Sequence, residues 1–309
     1  MLLRSTVWTV LLVLGICANV DARLLLLASQ DSGLYRSFQQ GFEGQLTSAS
    51  LDQGVTFILA SDYRPSVQAD SGNIIIAAGV EAAKKVATFN IGDSRVIYTM
   101  LPLSSYQWLR ENDLLIERHQ VLFIDQPSYR FVDLARIAFP SIKRLGYLHG
   151  EVSAKHIKGL RQAASEYEIQ INDVSLQPGR RLVKILDELV VDSDVVLALP
   201  DPFLFNRRTV QSLLLASLRR KTPLIAYSES YVKAGALLAL YSSPEQIGRH
   251  AAELVNCWVE ECGVGVQKNH PRYFSVQVNN IVARQLGLNV APADELQGLL
   301  EKQDAKHVE

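Results

Sequence analysis

Cysteine is scarce in this chain: three in 309 residues, at Cys17, Cys257 and Cys262. That excludes a disulfide-dense scaffold, and no His or carboxylate pattern completes a metal ligand set around them. The six histidines are scattered and none forms an HExxH pair, so the helix-borne zinc site of that motif is absent. Glycine-rich phosphate loops are missing as well. The first strand is followed by Ser29-Gln30-Asp31-Ser32-Gly33, with one glycine, which does not support a dinucleotide site. There is no P-loop of the GxxxxGKS/T form and no GxSxG nucleophile elbow. Charge of one sign is also lacking. The formal net charge is −1, which leaves no electrostatic footprint for nucleic acid.

Long apolar runs are confined to the start. Arg4 precedes an apolar stretch from Val7 to Ile16 that is too short to span a bilayer. Val20-Asp21-Ala22 offers small or tolerated residues at a cleavage site. Residues 1–22 therefore read as a signal peptide cut after Ala22. Cys17 raises a lipoprotein alternative, but the bulky Ile16 stands where such a signal wants a small residue. Removing 22 of 309 residues leaves 287, room for one large or two modest domains, and 48% hydrophobic content argues for packed cores. Cys257 and Cys262 then sit in one segment, at a helix end signalled by Gly263. Five residues of regular helix separate cysteines too far for a relaxed bridge. A bend in the last turn permits one, and free or buried thiols are the alternative.

What the chain has is regular alternation. Short apolar runs at 23–29, 55–60, 73–78, 95–100 and 121–125 read as strands, with amphipathic helices between them and a helix at 131–138. The pattern restarts after Pro140, with strands at 144–149, 169–174, 195–199 and 223–227 and helices at 153–167, 180–190 and 207–220. Near-continuous apolar strands separated by helices mean parallel sheets covered on both faces. Two successive runs mean two doubly wound α/β lobes.

Ligands of such sheets sit at the carboxyl ends of the strands. The polar tips there supply the candidate ligand contacts: Gln30, Asp31, Gly79 and Ser104 in the first lobe, and His149, Asp201, Ser228, Glu229 and Tyr231 in the second. Asp125 is a further carboxylate and Arg64 a further cation within reach of a tip. Capping of turns and helices is the competing role for Asp31, Ser104, Asp201 and Ser228. Ser104 or Ser105 caps the next helix in this reading, and Lys155 and His156 lie on a solvated helix face. With the motifs above absent, no catalytic residues, cofactor or metal are assigned.

Three stretches carry a family resemblance. PSIKRLGYLHG (Pro140 to Gly150), TPLIAYSESYVKAGALLALYSSPEQIGRHAAELV (Thr222 to Val255) and VNNIVARQLGLNVAP (Val278 to Pro292) resemble, in order, segments of the ABC-transporter substrate-binding proteins of the tryptophan/tyrosine-uptake type. The resemblance implies a type I periplasmic-binding-protein fold with a three-strand hinge near residues 140, 241 and 268. Lobe 1 would comprise 23–140 plus 242–266, and lobe 2 141–241 plus 267–309. It also implies a periplasmic monomer that closes on a small ligand, an amino acid among the options. The partner is an inner-membrane ABC permease, or, in the alternative, a sensor or receptor served without solute delivery. Ala78-Gly79 and Leu101-Pro102-Leu103 stand where relatives often carry Thr-Pro and Asp-Pro pairs.

Overall fold

The computed structural model describes residues 24–64, 72–115, 119–176, 182–201, 204, 207–262 and 268–308. The leader, Gly263 and the expected helix start at Arg180 lie outside them. In chain order, the first half runs β1 (Leu24–Ala28), α1 (Gly33–Glu43), α2 (Ser48–Leu51), β2 (Val55–Leu59), β3 (Ile74–Ala78), α3 (Val80–Ala87), β4 (Arg95–Leu101), α4 (Leu103–Glu111), β5 (His119–Phe123) and α5 (Ser128–Ala138). Next come β6 (Arg144–His149), a 3-10 turn at Ser153–Lys155, α6 (His156–Ser165), β7 (Gln170–Ser175), α7 (Leu182–Val191), β8 (Val195–Ala198), α8 (Arg207–Arg220) and β9 (Leu224–Ala226). The chain closes with α9 (Glu229–Ala234), β10 (Leu238–Tyr241), α10 (Pro244–Val259), β11 (Lys268–Asn269), β12 (Ser275–Val278), α11 (Asn280–Leu286) and α12 (Ala293–Val308).

Two six-stranded sheets result, ordered β11-β5-β4-β3-β1-β2 and β12-β10-β9-β8-β6-β7. All pairs are parallel except β10 with β12. The unbroken apolar strands make this work, because successive side chains point to opposite faces. Leu25, Leu27, Ile75 and Ala77 enter one core of the first lobe, while Leu24, Leu26, Ile74 and Ile76 enter the other. In the second lobe Val195 and Leu197 face one core, Val196 and Ala198 the other.

The first lobe is completed from the far end of the sequence. Helix α10 begins with a capping box, in which Ser243 Oγ accepts from Gln246 N–H and the Gln246 side chain accepts from Ser243 N–H. It lies on α1 so closely that a Cβ at Gly41 would stand 2.1 Å from the Glu245 carbonyl oxygen, and one at Gly248 would stand 2.1 Å from that of Phe38. Ile247, Ala251, Ala252 and Val255 thereby join Phe38 and Phe42 in one core.

The lobe boundaries differ from the sequence expectation in two places. Helix α5 follows a first-lobe strand, but its Phe131, Val132, Leu134, Ala135 and Ala138 pack with Leu145, Tyr147 and Leu160 of the second lobe. The first crossover is therefore at 124–127 rather than near Pro140, because the apolar face of α5 has its partner on the far side of the connection. Strand β11 pairs with β5 of the first sheet, so the third crossover falls at 270–274. The second crossover, at 242–243, lies between β10 and α10. Ser228, Glu229 and Tyr231, expected at a polar strand tip, fall at the cap and first turn of the short helix α9.

Cysteines 257 and 262 are joined by a disulfide, with Cα atoms 5.1 Å apart. Regular helix ends at Val259, and the turn that follows brings Cys262 N–H to the Cys257 carbonyl at 3.0 Å. That is the bend the bridge requires. Among the described residues no helix is long and apolar enough to cross a membrane, and no group of three or more His, Cys, Asp or Glu side chains is placed to hold a metal.

Candidate functional site: the cavity between the lobes

A cavity of about 430 Å³ lies at the carboxyl ends of both sheets, against two of the crossovers. The first lobe contributes Pro102, Ser104 and Ser105 from the entry and first turn of α4. The crossovers contribute Ile124, Asp125, Gln126 and Ser242. The second lobe contributes an apolar and aromatic wall of Phe131, Leu199, Tyr227, Leu240 and Tyr241, with His156, Asp201 and Ser228 among them. A second cavity of about 560 Å³ shares Ser104 and Ser105 and reaches Trp108, Glu111, Glu151 and Lys155. A third, about 430 Å³, shares Gln126 and His156.

Electrostatics follow from burial. Asp125 is 4% exposed, and loss of hydration raises its carboxyl above the usual range. A hydrogen bond from Leu103 N–H to Oδ2, at 2.6 Å, and the charges of Lys155 and His270 pull the other way. His270 Nδ1 donates to the Asp125 carbonyl at 2.8 Å, so the third crossover is bonded to the first. Burial lowers Lys155, with Asp125 and Asp201 opposing. His156 is pushed down to about 4 by burial and by Lys155, so its ring is neutral at pH 7. Its Nε2 is buried and has no hydrogen-bond partner.

Three of the nine expected contacts line the first of these cavities: Ser104, Asp201 and Ser228. Ser104 does not cap its helix, because Pro102 occupies the cap position and Ser104 and Ser105 fall in the first turn. Asp201 is 1% exposed and fully engaged with protein. Its Oδ2 accepts Ser153 N–H at 3.2 Å and Ser153 Oγ–H at 2.6 Å, and its Oδ1 accepts Leu204 N–H at 3.0 Å. It caps and shapes the tip as well as bordering the cavity.

The other six lie off it. Gln30 is exposed, and Asp31 is held by Arg36 through two 2.8 Å bonds at the surface. Gly79 has φ +95°, and a Cβ there would stand 2.2 Å from the Tyr35 hydroxyl and 2.4 Å from Ser29 Oγ, so its role is backbone geometry at the start of α3. His149 donates Nδ1–H to the Gly150 carbonyl at 3.1 Å and turns Nε2 toward Asp173, 3.7 Å away. Glu229 pairs with Lys233 one helical turn later at 2.8 Å. Tyr231 packs in the core beside Tyr227, and burial raises its phenol. Arg64 is spent on its own turn, donating to the carbonyls of Ser61 and Tyr63.

Phe131, His156, Tyr227, Leu240, Tyr241 and Ser242 also line the cavity, beyond the residues expected from the sequence. Tyr227 and Tyr241 carried a signal, since each ends an apolar strand run at a carboxyl end. His156 did not: it begins α6, and the folded chain buries it to 8% exposure beside the cavity rather than leaving it toward solvent.

Two parallel-sheet lobes, three crossovers and a cavity between the lobes define a two-lobed small-molecule-binding protein of the type I periplasmic class. The chain belongs to the ABC transporter substrate-binding protein family, whose family model matches residues 126–291, more than half of its length. Among solved structures, a substrate binding protein with adhesive properties from Clostridium difficile, in its ligand-free open form, is 16% identical with TM-score 0.66, covering 89% of this chain and 97% of that one. An ABC domain from Streptococcus pneumonia in complex with L-Trp is 13% identical with TM-score 0.54, covering 89% and 98%. A conserved domain protein from Vibrio cholerae is 17% identical with TM-score 0.54, covering 90% and 98%. At these identities the likeness is one of fold. No curated protein matches the sequence.

Proposed function

We propose that this chain is the extracytoplasmic solute-binding component of an ABC-type uptake system, closing its lobes on a small ligand held in the cavity that Tyr227 and Tyr241 border. The observation that carries the reading is the placement of that cavity. Polar groups from α4 and from the β8 and β9 tips line it across the crossovers, so a bound molecule touches both lobes and favours the closed form by its differential affinity. Its walls suit an amphipathic molecule. Phe131, Leu199, Leu240 and the two tyrosines take an apolar body, Asp125 takes a cationic or hydroxyl group, and Ser104 and Ser105 at the start of α4 take acceptors. An amino acid with an apolar side chain meets all three conditions, as does the L-Trp bound by the pneumococcal neighbour. The protein works as a periplasmic monomer exported by its 1–22 leader, and an inner-membrane permease reads the closed shape.

A second reading keeps the cavity and changes the partner to a sensor or receptor, without solute delivery. It is favoured by the first-lobe tips at Asp31 and Gly79, which are occupied by Arg36 and by Tyr35 with Ser29 instead of facing the cavity. Co-purification with a permease or with a sensor separates the two.

The direct test is a thermal-shift panel of amino acids, nucleosides and small carboxylates on the mature chain. A ligand at a hundred times its dissociation constant adds about 2.7 kcal/mol. No shift with any aromatic amino acid sinks that ligand class, and no shift with any compound sinks the small-ligand reading.

A further inference from the structure

The three crossovers are tied together by side chains at one point beside the cavity. Gln126, in the first, donates Nε2–H to Ser242 Oγ, in the second, at 2.7 Å. Ser242 donates in turn to the Tyr273 carbonyl, in the third, at 2.5 Å. A carbonyl only accepts, so the Ser242 proton is committed to Tyr273 and Gln126 meets the oxygen lone pair. The other side of the Gln126 amide is set just as firmly. Its Oε1 accepts Arg130 Nη1–H at 2.8 Å, and a guanidinium has donors only, so a flipped amide would face donor against donor.

Arg130 stands in the first turn of α5 with its side chain 5% exposed. Nη1 also donates to the Pro271 carbonyl of the third crossover at 2.6 Å, and Phe274 lies 4.5 Å from the guanidinium. Nε and Nη2 form a bidentate pair with Asp304 of α12, at 2.5 and 2.7 Å, and the Tyr129 hydroxyl donates to the same carboxylate at 2.9 Å. A buried ion pair thus runs from the C-terminal helix to the place where the lobes are connected.

We infer that α12 braces the hinge: Asp304 holds Arg130, Arg130 fixes Gln126, and the Gln126–Ser242–Tyr273 link sets the resting angle between the lobes. Hinge segments absorb a change of φ and ψ when lobes close, and bonds that span all three segments must stretch or re-pair when that happens. Bonds to a charged partner are the strong ones, and removing Asp304 leaves a buried guanidinium charge without its counter-ion. Gln126 and Ser242 also border the cavity, so a ligand acceptor that touches either competes with the link that sets the angle. The inference rests on the reading that the lobes move about these crossovers, and it adds the residues that set the balance.

The test needs no ligand. Spin labels at Gln40→Cys on α1 and Lys184→Cys on α7 report the distance between lobes by double electron–electron resonance in the mature chain. Asp304→Asn and Gln126→Leu should each move the distribution away from that of the parent, with about a tenfold change in the ratio of the two populations, the size expected for losing a hydrogen bond to a charged group. The double variant should move it no further, because both residues belong to one chain of contacts. An unchanged distribution in Asp304→Asn, or shifts that add in the double variant, overturns the inference. Loss of a buried ion pair can also loosen the fold, so Ser242→Ala, which leaves the pair intact, is measured alongside. It should give the same displacement at a thermal midpoint near the parent's, and an undisplaced distribution there overturns the brace. Failure of the ligand-binding reading would register in the thermal-shift panel on the unlabelled parent, which this measurement does not involve.

Discussion

The carboxylate of Asp201 receives both the backbone N–H and the hydroxyl of Ser153, which clamps the loop after β8 to the turn after β6. The two strands are neighbours in the second sheet, and the clamp holds Pro200 and Leu199 where they border the cavity. Replacing Asp201 with Ala strands the Ser153 and Leu204 amides in a buried site. Asp201→Ala should therefore cost about 3 kcal/mol of unfolding free energy in urea titrations, with ligand affinity falling as a consequence of the displaced loop. A stability equal to the parent's would mean that the clamp is not what holds this tip.

Gly79 is a second tip that shapes the backbone, and unlike Asp201 it does not border the cavity. Gly79→Ala combines a left-handed φ with a collision on Tyr35 and Ser29, and it should lower stability by about 2 kcal/mol or more. The check is the urea midpoint of this variant against that of Glu81→Ala, an exposed substitution two residues on that should move it little.

Two buried histidines make the fold acid-sensitive. Burial holds His156 and His250 down to about 4, and His250 Nδ1 accepts Arg272 N–H at 3.1 Å, which the protonated ring could not do. The unfolded chain takes up these protons near its ordinary histidine value of about 6.5, before the folded chain does. Stability is therefore complete above that value and is lost as pH falls from about 6.5 toward about 4, by about 2 kcal/mol per histidine at about pH 4.5. His250→Asn, whose Oδ1 can accept the Arg272 amide, should reduce this dependence and leave the shares of His156 and of His270, which burial also lowers. Equal losses in parent and variant between about pH 7 and about pH 4.5 would contradict the assignment.

Much of the fold was legible in the sequence, because its strands are unbroken apolar runs and its helices carry a single apolar face. The elements that escaped are those whose pairing lies far away. Strand β11, expected near 268 only through the family resemblance, has two residues and pairs with β5 from almost 150 positions downstream, and α12 is polar along most of its length, so neither shows a strong local period. The crossover at 124–127 was hidden for a related reason: α5 shows the right amphipathic face, but nothing local says which lobe will cover it. The site was less legible than the fold. Strand tips are identifiable from sequence, but whether a tip faces the cavity, as Ser104 and Ser228 do, or is consumed by a neighbour, as Asp31 is by Arg36, depends on side-chain partners that spacing does not reveal.

The disulfide between Cys257 and Cys262 closes a short loop at the end of α10 and should contribute about 2 kcal/mol. The mature chain should show no free thiol under non-reducing, denaturing conditions and two after reduction. Reduction should lower the thermal midpoint by a few degrees while leaving the cavity, which lies at the opposite end of α10, able to bind.

A small ligand seated between the lobes would lie against Tyr227 and Tyr241. The most direct measurement is calorimetric titration of a compound that shifts the parent's melting into the parent and into Tyr227→Ala and Tyr241→Ala. Affinity should fall at least tenfold in each variant, with thermal midpoints showing that both still fold. Undiminished affinity in both would place the ligand outside this cavity.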